Sequence, residues 1–415
     1  MITKLSIRNF KSIKELDIDC AKVNLFIGEP NTGKSNILEA LGLLSWCGSR
    51  NKDISLSDFV RFEYISNLFY DDLTDQIVKV SIASEKMLIN IGLGIGSQSK
   101  SPKIYHGQFP KLKNEKILSL EPKYQSDLDE GKYTEDLNRE FQKINTINIS
   151  FSNPTIQIIK TDQEWLIYDQ NIILSIKKNN DLLEVYKFAG KSTVLDMLGN
   201  TGTYPNDKKD YPLLEFIKFY RYKQLDKFPV RDYSSLIPPD GKNMLALISS
   251  IKKHRETISS LFKDFGFKPM IREHVETLEQ AKIIDDAIYS HPYITVSDTL
   301  KRMLFYNIAI DSNENSTLIF EEPEVHAFPL YIKQLGEKIA FDESNQYFIV
   351  THNPYLFLSI VEKTPKDNVN VFATYMKDYQ TKVKQANSEQ ISVLMDYDPF
   401  ANLGQIIEED DNDSD

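Results

Sequence analysis

The sequence predicts an α/β fold in which a mixed sheet surrounds a glycine-rich loop. An apolar run from Val23 to Ile27, the loop and a run of helix-forming residues follow one another directly. Alternating apolar residues in the first half of the chain indicate antiparallel strands, and helical spacing begins after Tyr211. Two further apolar runs in the last quarter end in polar residues, which is typical of buried strands that carry a site at one end.

The composition is that of a globular protein of two or three domains. The 415 residues are 41% hydrophobic and 26% charged. No run of about 18 apolar residues predicts a membrane helix. The first residues lack a signal-peptide pattern, and Cys20 and Cys47 have no metal-ligand spacing. We therefore expect a cytoplasmic protein that does not enter membranes.

The charge balance gives no general attraction to nucleic acid. The formal net charge is −11, and the tail over 408–415 carries six of the negative charges. A local basic surface remains an alternative, because Lys218–Lys223 interleave basic and aromatic residues as single-strand binders do. Residues Lys252–Arg255 add a second basic stretch. The competing interpretation is a strand edge and a solvated helix face, so nucleic acid is a possible partner only.

Changes of pattern divide the chain into five segments. They are an N-terminal lobe over 1–96, an insertion with β-strands over 97–211, a helical region over 212–290, a C-terminal lobe over 291–407 and an acidic tail over 408–415. Within them we expect a turn at Gly92–Gly96 and one long helix between Met244 and Phe262. A further helix is expected from Ser297 to about Ile310.

The glycine-rich loop carries the clearest chemistry. Gly28–Ser35 match G-x-x-x-x-G-K-[ST] at every fixed position, between an apolar run and a helix-forming run. In such a phosphate-binding loop (P-loop) the backbone N–H groups surround phosphates, Lys34 reaches the terminal phosphates and the Ser35 hydroxyl binds Mg²⁺. The residues assigned to nucleotide binding here are Gly28, Asn31, Thr32, Gly33, Lys34 and Ser35. The alternative is a chance turn before a helix.

Two later strands end in residues suited to phosphate chemistry. Thr317–Glu324 is an apolar run that ends in carboxylates, which predicts Glu321 as a magnesium residue and Glu322 as the catalytic base. The alternative is a buried strand with a solvated acidic turn. Tyr347–Pro354 is a second apolar run, and its His352 is expected to contact the γ-phosphate. Ser297, with Asp298, opens a helix whose N-terminus is a natural anion site or an ordinary capped end.

These motifs together resemble one group of ATPases. The opening Leu5–Ser12, the P-loop, the Glu-Glu-Pro-Glu strand and the Thr-His-Asn-Pro strand occur in the order seen in ABC-type ATPases of the RecF, SMC and OLD kind. Pro238–Met244 resembles a segment of the group's single-chain AAA-type ATP-binding proteins. The likeness covers roughly 1–95 and 212–360. Three positions depart from the group: Glu321 replaces an Asp, Thr299 a Gly, and Phe328 a His.

The resemblance implies an ABC-type ATPase head with a mixed sheet around the P-loop, an antiparallel β subregion and a helical insertion. It implies ATP and Mg²⁺ as cofactors, and a homodimer or higher homo-oligomer in which Ser297 of one copy faces the ATP of the other. Too few residues follow His352 for a fused nuclease domain, and 97–211 show no sustained heptads. We therefore expect a switch subunit that controls a separate effector, a nuclease or toxin, in phage defence or DNA maintenance.

Two alternatives to the hydrolysing switch remain open. The first is a nucleotide-gated assembly scaffold, in which ATP holds subunits together with little turnover. The second is a transporter-type ATPase, which is disfavoured because the sequence has no membrane segment or coupling helix.

Overall fold

The computed structural model describes residues 1–49, 54–84, 87–95, 102–110, 157–160, 164–168, 173–179, 182–186, 192–194, 214–396, 399–400 and 403–407. The chain divides into two compact units. One consists of Met1, Ser12–Arg61 and Tyr211–Asp415, and the other of Ile2–Lys11 and Phe62–Asp210. The lobe expected over 1–96 is therefore divided between the two units, because the strand Lys4–Phe10 pairs with Val78–Ala83.

The regular elements are numbered along the chain. The strands are β1 Lys4–Phe10, β2 Ile13–Asp19, β3 Val23–Gly28, β4 Val78–Ala83, β5 Met87–Ile95, β6 Pro102–Pro110, β7 Gln157–Lys160, β8 Glu164–Tyr168, β9 Ile173–Asn179, β10 Leu182–Tyr186, β11 Ser192–Val194, β12 Ile217–Tyr220, β13 Lys268–Arg272, β14 Thr277–Ile284, β15 Ala287–Pro292, β16 Thr317–Glu321, β17 Gln346–Val350, β18 Val369–Lys377 and β19 Gln380–Gln385. The helices are α1 Lys34–Gly48, α2 Met244–Ser250, α3 Lys252–Lys263, α4 Asp298–Asp311, α5 Pro329–Phe341, α6 Pro354–Lys363, α7 Ser388–Asp396 and α8 Leu403–Ile407.

The first unit is built on a six-stranded mixed sheet in the order β12-β16-β17-β3-β18-β19. Five strands run parallel, and only β19 is antiparallel to its neighbour. All residues of β3 and β17 are buried, as expected for strands covered on both faces. Helix α1 is almost wholly buried and packs against β3, β12, β16 and β17. The predicted α/β class, with a mixed sheet around the P-loop, is confirmed.

The register of the sheet aligns the ends of three parallel strands. Glu321 of β16 pairs with Val350 of β17, and Val350 pairs with Phe26 of β3. The carboxyl ends of parallel strands lie at one edge of a sheet, where open α/β folds place their ligands. The loops after Gly28, Glu321 and Val350 therefore start from the same edge.

The second unit is antiparallel. Its strands form one run in the order β11-β6-β5-β4-β1 and a separate four-stranded sheet, β10-β9-β8-β7. Burial alternates along β4, where Val78, Val80 and Ile82 point inward. The turn expected at Gly92–Gly96 is a correction, because β5 continues through Ile95 and pairs with β6. Residues 111–156 of the insertion expected over 97–211 lie outside the described residues.

The expected helical region over 212–290 also contains a three-stranded sheet, which is a correction. Strands β13, β14 and β15 form an antiparallel meander. The β14–β15 turn consists of Asp285 and Asp286, both at positive φ, as a two-residue hairpin turn requires. The single long helix is also wrong, since Ile251 adopts an extended conformation and separates α2 from α3.

The basic and aromatic stretch Lys218–Lys223 does not form a stacking surface. Phe219 and Tyr220 are fully buried in the core, so their rings are not accessible to bases. In the second basic stretch His254 is buried and Lys253 pairs with Asp311 at 2.8 Å. The single-strand-binding interpretation of Lys218–Lys223 is therefore wrong for these rings. Within the described residues, no helix is long and apolar enough to cross a membrane.

Candidate active site

The P-loop connects β3 to α1 through two glycines that no other residue could replace without displacing neighbours. Gly33 has φ +88° and immediately precedes Lys34, the first residue of α1. A Cβ atom on Gly33 would overlap the Thr381 hydroxyl and approach the Ser12 hydroxyl at 2.8 Å. A Cβ on Gly28 would overlap the backbone oxygen of Thr374. At both positions neighbouring atoms therefore lie too close to the glycine backbone to leave room for a side chain.

Lys34 is held inside this loop. Its side chain is buried, and its Nζ donates to the carbonyl oxygens of Gly28 at 2.9 Å and Glu29 at 2.5 Å, and to Thr32 Oγ1 at 3.4 Å. Burial lowers the pKa of Lys34 to about 8, although the charges of Glu322 and Glu29 oppose the shift. The ammonium is thus surrounded by neutral oxygens, which phosphate oxygens can replace.

Glu322 and His352 follow two other strands of the sheet and lie close to each other. Glu322 follows β16 with φ +44°, a strained conformation of the kind that clusters at functional sites. His352 follows β17, and its Nε2 lies 3.6 Å from Glu322 Oε1. Burial and the Lys34 charge lower the pKa of His352, with Glu322 opposing, so its imidazole is neutral at pH 7. Lys34, Glu322 and His352 therefore form one electrostatically linked group.

Glu321, the predicted magnesium residue, is bound by two arginines. Its Oε1 accepts from Arg61 Nη2 and its Oε2 from Arg221 Nε, each at 2.7 Å. Both arginines also contact Glu39 Oε1 of helix α1, at 2.6 Å from Arg61 and 3.2 Å from Arg221. Glu39 is fully buried, and the Glu321 side chain is only 8% exposed. We call Glu39, Arg61, Arg221 and Glu321 the arginine–carboxylate cluster.

The sequence comparison agrees with this geometry. Residues 1–192 match the family model of the AAA ATPase domain. The expected resemblance to AAA-type ATPases is confirmed over these residues, and at family level the match supports ATP binding and ATPase activity. No curated protein matches the sequence.

The comparison with solved structures matches chains of SMC proteins. The SMC head bound to the C-winged helix domain of ScpA has 14% identity and a TM-score of 0.45, covering 94% of this chain and 99% of that chain. The SMC head domain from Thermotoga maritima has 11% identity and a TM-score of 0.34, covering 93% and 99%. A chain from work on ATP-driven dimerization and DNA-stimulated activation of SMC ATPases has 13% identity and a TM-score of 0.27, covering 37% and 96%.

The donor set of this site suits magnesium only in part. Mg²⁺ in nucleotide sites is held by one or two protein oxygens, phosphates and water. The Ser35 hydroxyl, in the first turn of α1, is such a donor. Both carboxylate oxygens of Glu321 already accept from guanidinium groups. Glu321 therefore fits a contact through water better than direct ligation, and its role as a magnesium residue stays a prediction.

Ser297 stands at the start of helix α4. Its hydroxyl accepts from the Leu300 N–H at 3.3 Å, so it caps helix α4. Thr299, which stands where the related ATPases have Gly, donates from Oγ1 to the His326 carbonyl at 3.0 Å. The first turn of α4 is thus hydrogen-bonded to the loop that follows strand β16. A contact of Ser297 with a nucleotide in a second copy remains a prediction.

Sequence reasoning missed Glu39, Arg61, Arg221 and Glu324. One signal was available for Glu39, because a carboxylate among the apolar residues of a buried helix requires a cationic partner. For Arg221 the sequence offers a basic surface or a strand edge, whereas its N–H donates to the Pro239 carbonyl at 3.0 Å and its side chain donates to Glu321. Arg61 and Glu324 carry no comparable local signal.

Proposed function

We propose that this chain is an ATP-hydrolysing switch subunit that works as a dimer. One observation supports the proposal most strongly: Lys34, Glu322 and His352 are linked in one group although they come from three separate strand ends. A lysine for the phosphates, a carboxylate for the attacking water and a neutral imidazole near the γ-phosphate are the parts that phosphoryl transfer to water requires.

The roles follow from the chemistry of each group. The Lys34 ammonium binds the β- and γ-phosphates, and the P-loop N–H groups at the start of α1 neutralise them further. Glu322 orients the water and accepts its proton. The neutral imidazole of His352 donates one hydrogen bond to the γ-phosphate. Mg²⁺ held by Ser35, with Glu321 behind water, supplies charge stabilisation on the phosphates when bound.

The dimer and its partners rest on the resemblance to ABC-type ATPases. In the proposed closed state, two copies enclose two ATP molecules, and the α4 N-terminus with Ser297 faces the nucleotide of the other copy. ATP binding favours this state, and hydrolysis releases it. The switch acts in the cytoplasm on a separate nuclease or toxin in phage defence or DNA maintenance, with nucleic acid as a possible trigger.

Two substitutions test the proposal. Lys34→Ala should lose ATP binding, whereas Glu322→Gln should bind ATP, release less than about one hundredth of the phosphate and accumulate dimers, since general-base catalysis contributes about 10²–10⁴ in rate. Glu362→Gln is the matched control, because it removes the same charge from an exposed position on α6. Phosphate release and sedimentation with Mg²⁺ and ATP are measured. Unchanged turnover in Glu322→Gln contradicts the assignment of the base.

The arginine–carboxylate cluster favours a second candidate, an assembly scaffold with little turnover. With both oxygens accepting from arginines, Glu321 is a poorer direct ligand for Mg²⁺ than a free carboxylate. In that case ATP would hold subunits together and persist unhydrolysed. ATP-dependent dimers of the unmodified protein, with phosphate release no greater than in Lys34→Ala even with DNA present, would establish the scaffold.

A further inference from the structure

Glu324 is a buried carboxyl group directly behind the candidate site. It is 6% exposed and lies two residues beyond Glu322. Its Oε1 accepts from the Thr351 hydroxyl at 2.7 Å and from the His352 N–H at 2.9 Å. Its Oε2 is buried and has no hydrogen-bond partner. This one oxygen therefore connects the loop after β16 to the loop after β17, which carries His352.

We propose that Glu324 is the positioning residue that sets the place of His352 against Glu322. This inference rests on the proposed function of the site. Glu324 contacts the backbone of His352 and the side chain of Thr351, so it acts on the imidazole through the loop. The Glu322 N–H also donates to the Val350 carbonyl at 3.0 Å, but the Glu324 hydrogen bond is the one that reaches His352 itself, whose Nε2 lies 3.6 Å from Glu322.

The contacts continue into helix α6. The Thr351 hydroxyl also accepts from the Asn353 N–H at 3.0 Å. Asn353 in turn caps α6, accepting from the N–H groups of Tyr355 at 2.9 Å and Leu356 at 3.2 Å. His352 is thus held between Glu324 on one side and a helix cap on the other. Losing the Glu324 acceptor would leave two buried donors without a partner.

The carboxyl group is suited to this task in its neutral form. Burial raises the pKa of Glu324 to about 7, against the hydrogen bonds from Thr351 and His352. The titratable groups that face it are Glu322 on its own loop, His352 beyond β17 and Tyr306 on α4. Ionisation would place a second negative charge beside Glu322. A neutral amide of the same shape should therefore replace the function.

Four variants separate positioning from simple support of the fold. Glu324→Gln keeps the Oε1 acceptor and should retain kcat within about threefold. Glu324→Ala and Thr351→Val remove one side of the contact, and kcat should fall at least tenfold with KM for ATP nearly unchanged. Thr364→Val is the matched control, because this buried threonine has a hydroxyl without a partner and lies past the end of α6. It should leave kcat unchanged.

Histidine NMR gives a readout that does not need turnover. The chain has six histidines, and His352→Asn identifies the His352 signal. Glu324→Ala should shift or broaden this signal, whereas Glu324→Gln and Thr364→Val should not. An unchanged His352 signal in Glu324→Ala overturns the inference, whether or not the protein hydrolyses ATP. A shifted signal in a protein without turnover supports the positioning and contradicts the proposed hydrolysis.

Discussion

Arg221 donates a 2.7 Å hydrogen bond from Nε to Glu321, the last residue of strand β16, while its Nη2 lies 3.2 Å from the buried Glu39 of helix α1. The arginine therefore joins the P-loop helix to the acidic strand. Breaking a buried ion pair by removing one partner leaves an uncompensated charge, which is more costly than the pair is favourable.

Replacing Arg221 with Met should accordingly destabilise the protein by about 3 kcal/mol, because the buried Glu39 and Glu321 both lose its guanidinium and the Arg61 that also binds them is 59% exposed. Glu39→Gln in the Arg221→Met background should restore part of the loss. Chemical unfolding of the two single variants and the double variant gives the coupling free energy, expected at about 1 kcal/mol or more. Strictly additive losses would show that the two residues are independent.

ATP affinity should depend on pH through Lys34. The pKa of Lys34 is lowered to about 8 by burial, and bound phosphates should raise it. Below pH 8 the lysine is already charged, so affinity should be constant. Above pH 8 binding requires proton uptake, and affinity should fall by up to about tenfold per pH unit. Calorimetry from pH 6.5 to 9.5 measures this. Lys34→Arg should show weaker binding without the slope, and an equal slope in that variant would contradict the assignment.

Because of Glu324, the free energy of unfolding should fall as the pH rises. Its pKa is about 7 in the folded protein and 4.5 as an ordinary glutamate, so between these values the unfolded chain has lost a proton that the folded chain keeps. The folded state therefore loses about 3 kcal/mol between pH 4.5 and 7, and the loss is constant above pH 7. The difference in unfolding free energy between Glu324→Gln and the unmodified protein should follow this curve. Parallel profiles would contradict it.

Gly33→Ala should cost more than Gly266→Ala, although both glycines have positive φ, +88° and +75°. Alanine in this region costs about 1 kcal/mol in backbone strain alone. At Gly266 no atom lies within 4 Å of the added Cβ, whereas at Gly33 it overlaps the Thr381 hydroxyl. We expect ATP binding to be lost only in Gly33→Ala. Equal unfolding midpoints and equal ATP affinities would show that the contact with Thr381 is not important.

The nucleotide loop was predictable because its signal is local. Gly28, Gly33, Lys34 and Ser35 lie within eight residues, and their spacing carries the geometry of a strand, a turn and a helix N-terminus. Glu322 and His352 were predictable for a related reason, since each follows an apolar run long enough for a buried strand. The meander β13–β15 was missed because only Leu278 and Ala281 of its strands are buried, so the alternation that marks a half-buried strand is weak.

By itself the sequence determined the fold class, the P-loop and the strand ends where chemistry is expected, because these depend on short-range periodicity and spacing. Only the tertiary structure decided which charged side chains contact one another. Arg221 is 182 residues from Glu39 and 100 residues from Glu321, and Glu324 meets Thr351 across 27 residues. Contacts over such separations depend on the order of the strands in the sheet. They also depend on which side chains are buried when the sheet packs against its helices. Those two properties bind Glu321 to arginines and raise the pKa of the buried Glu324 behind His352.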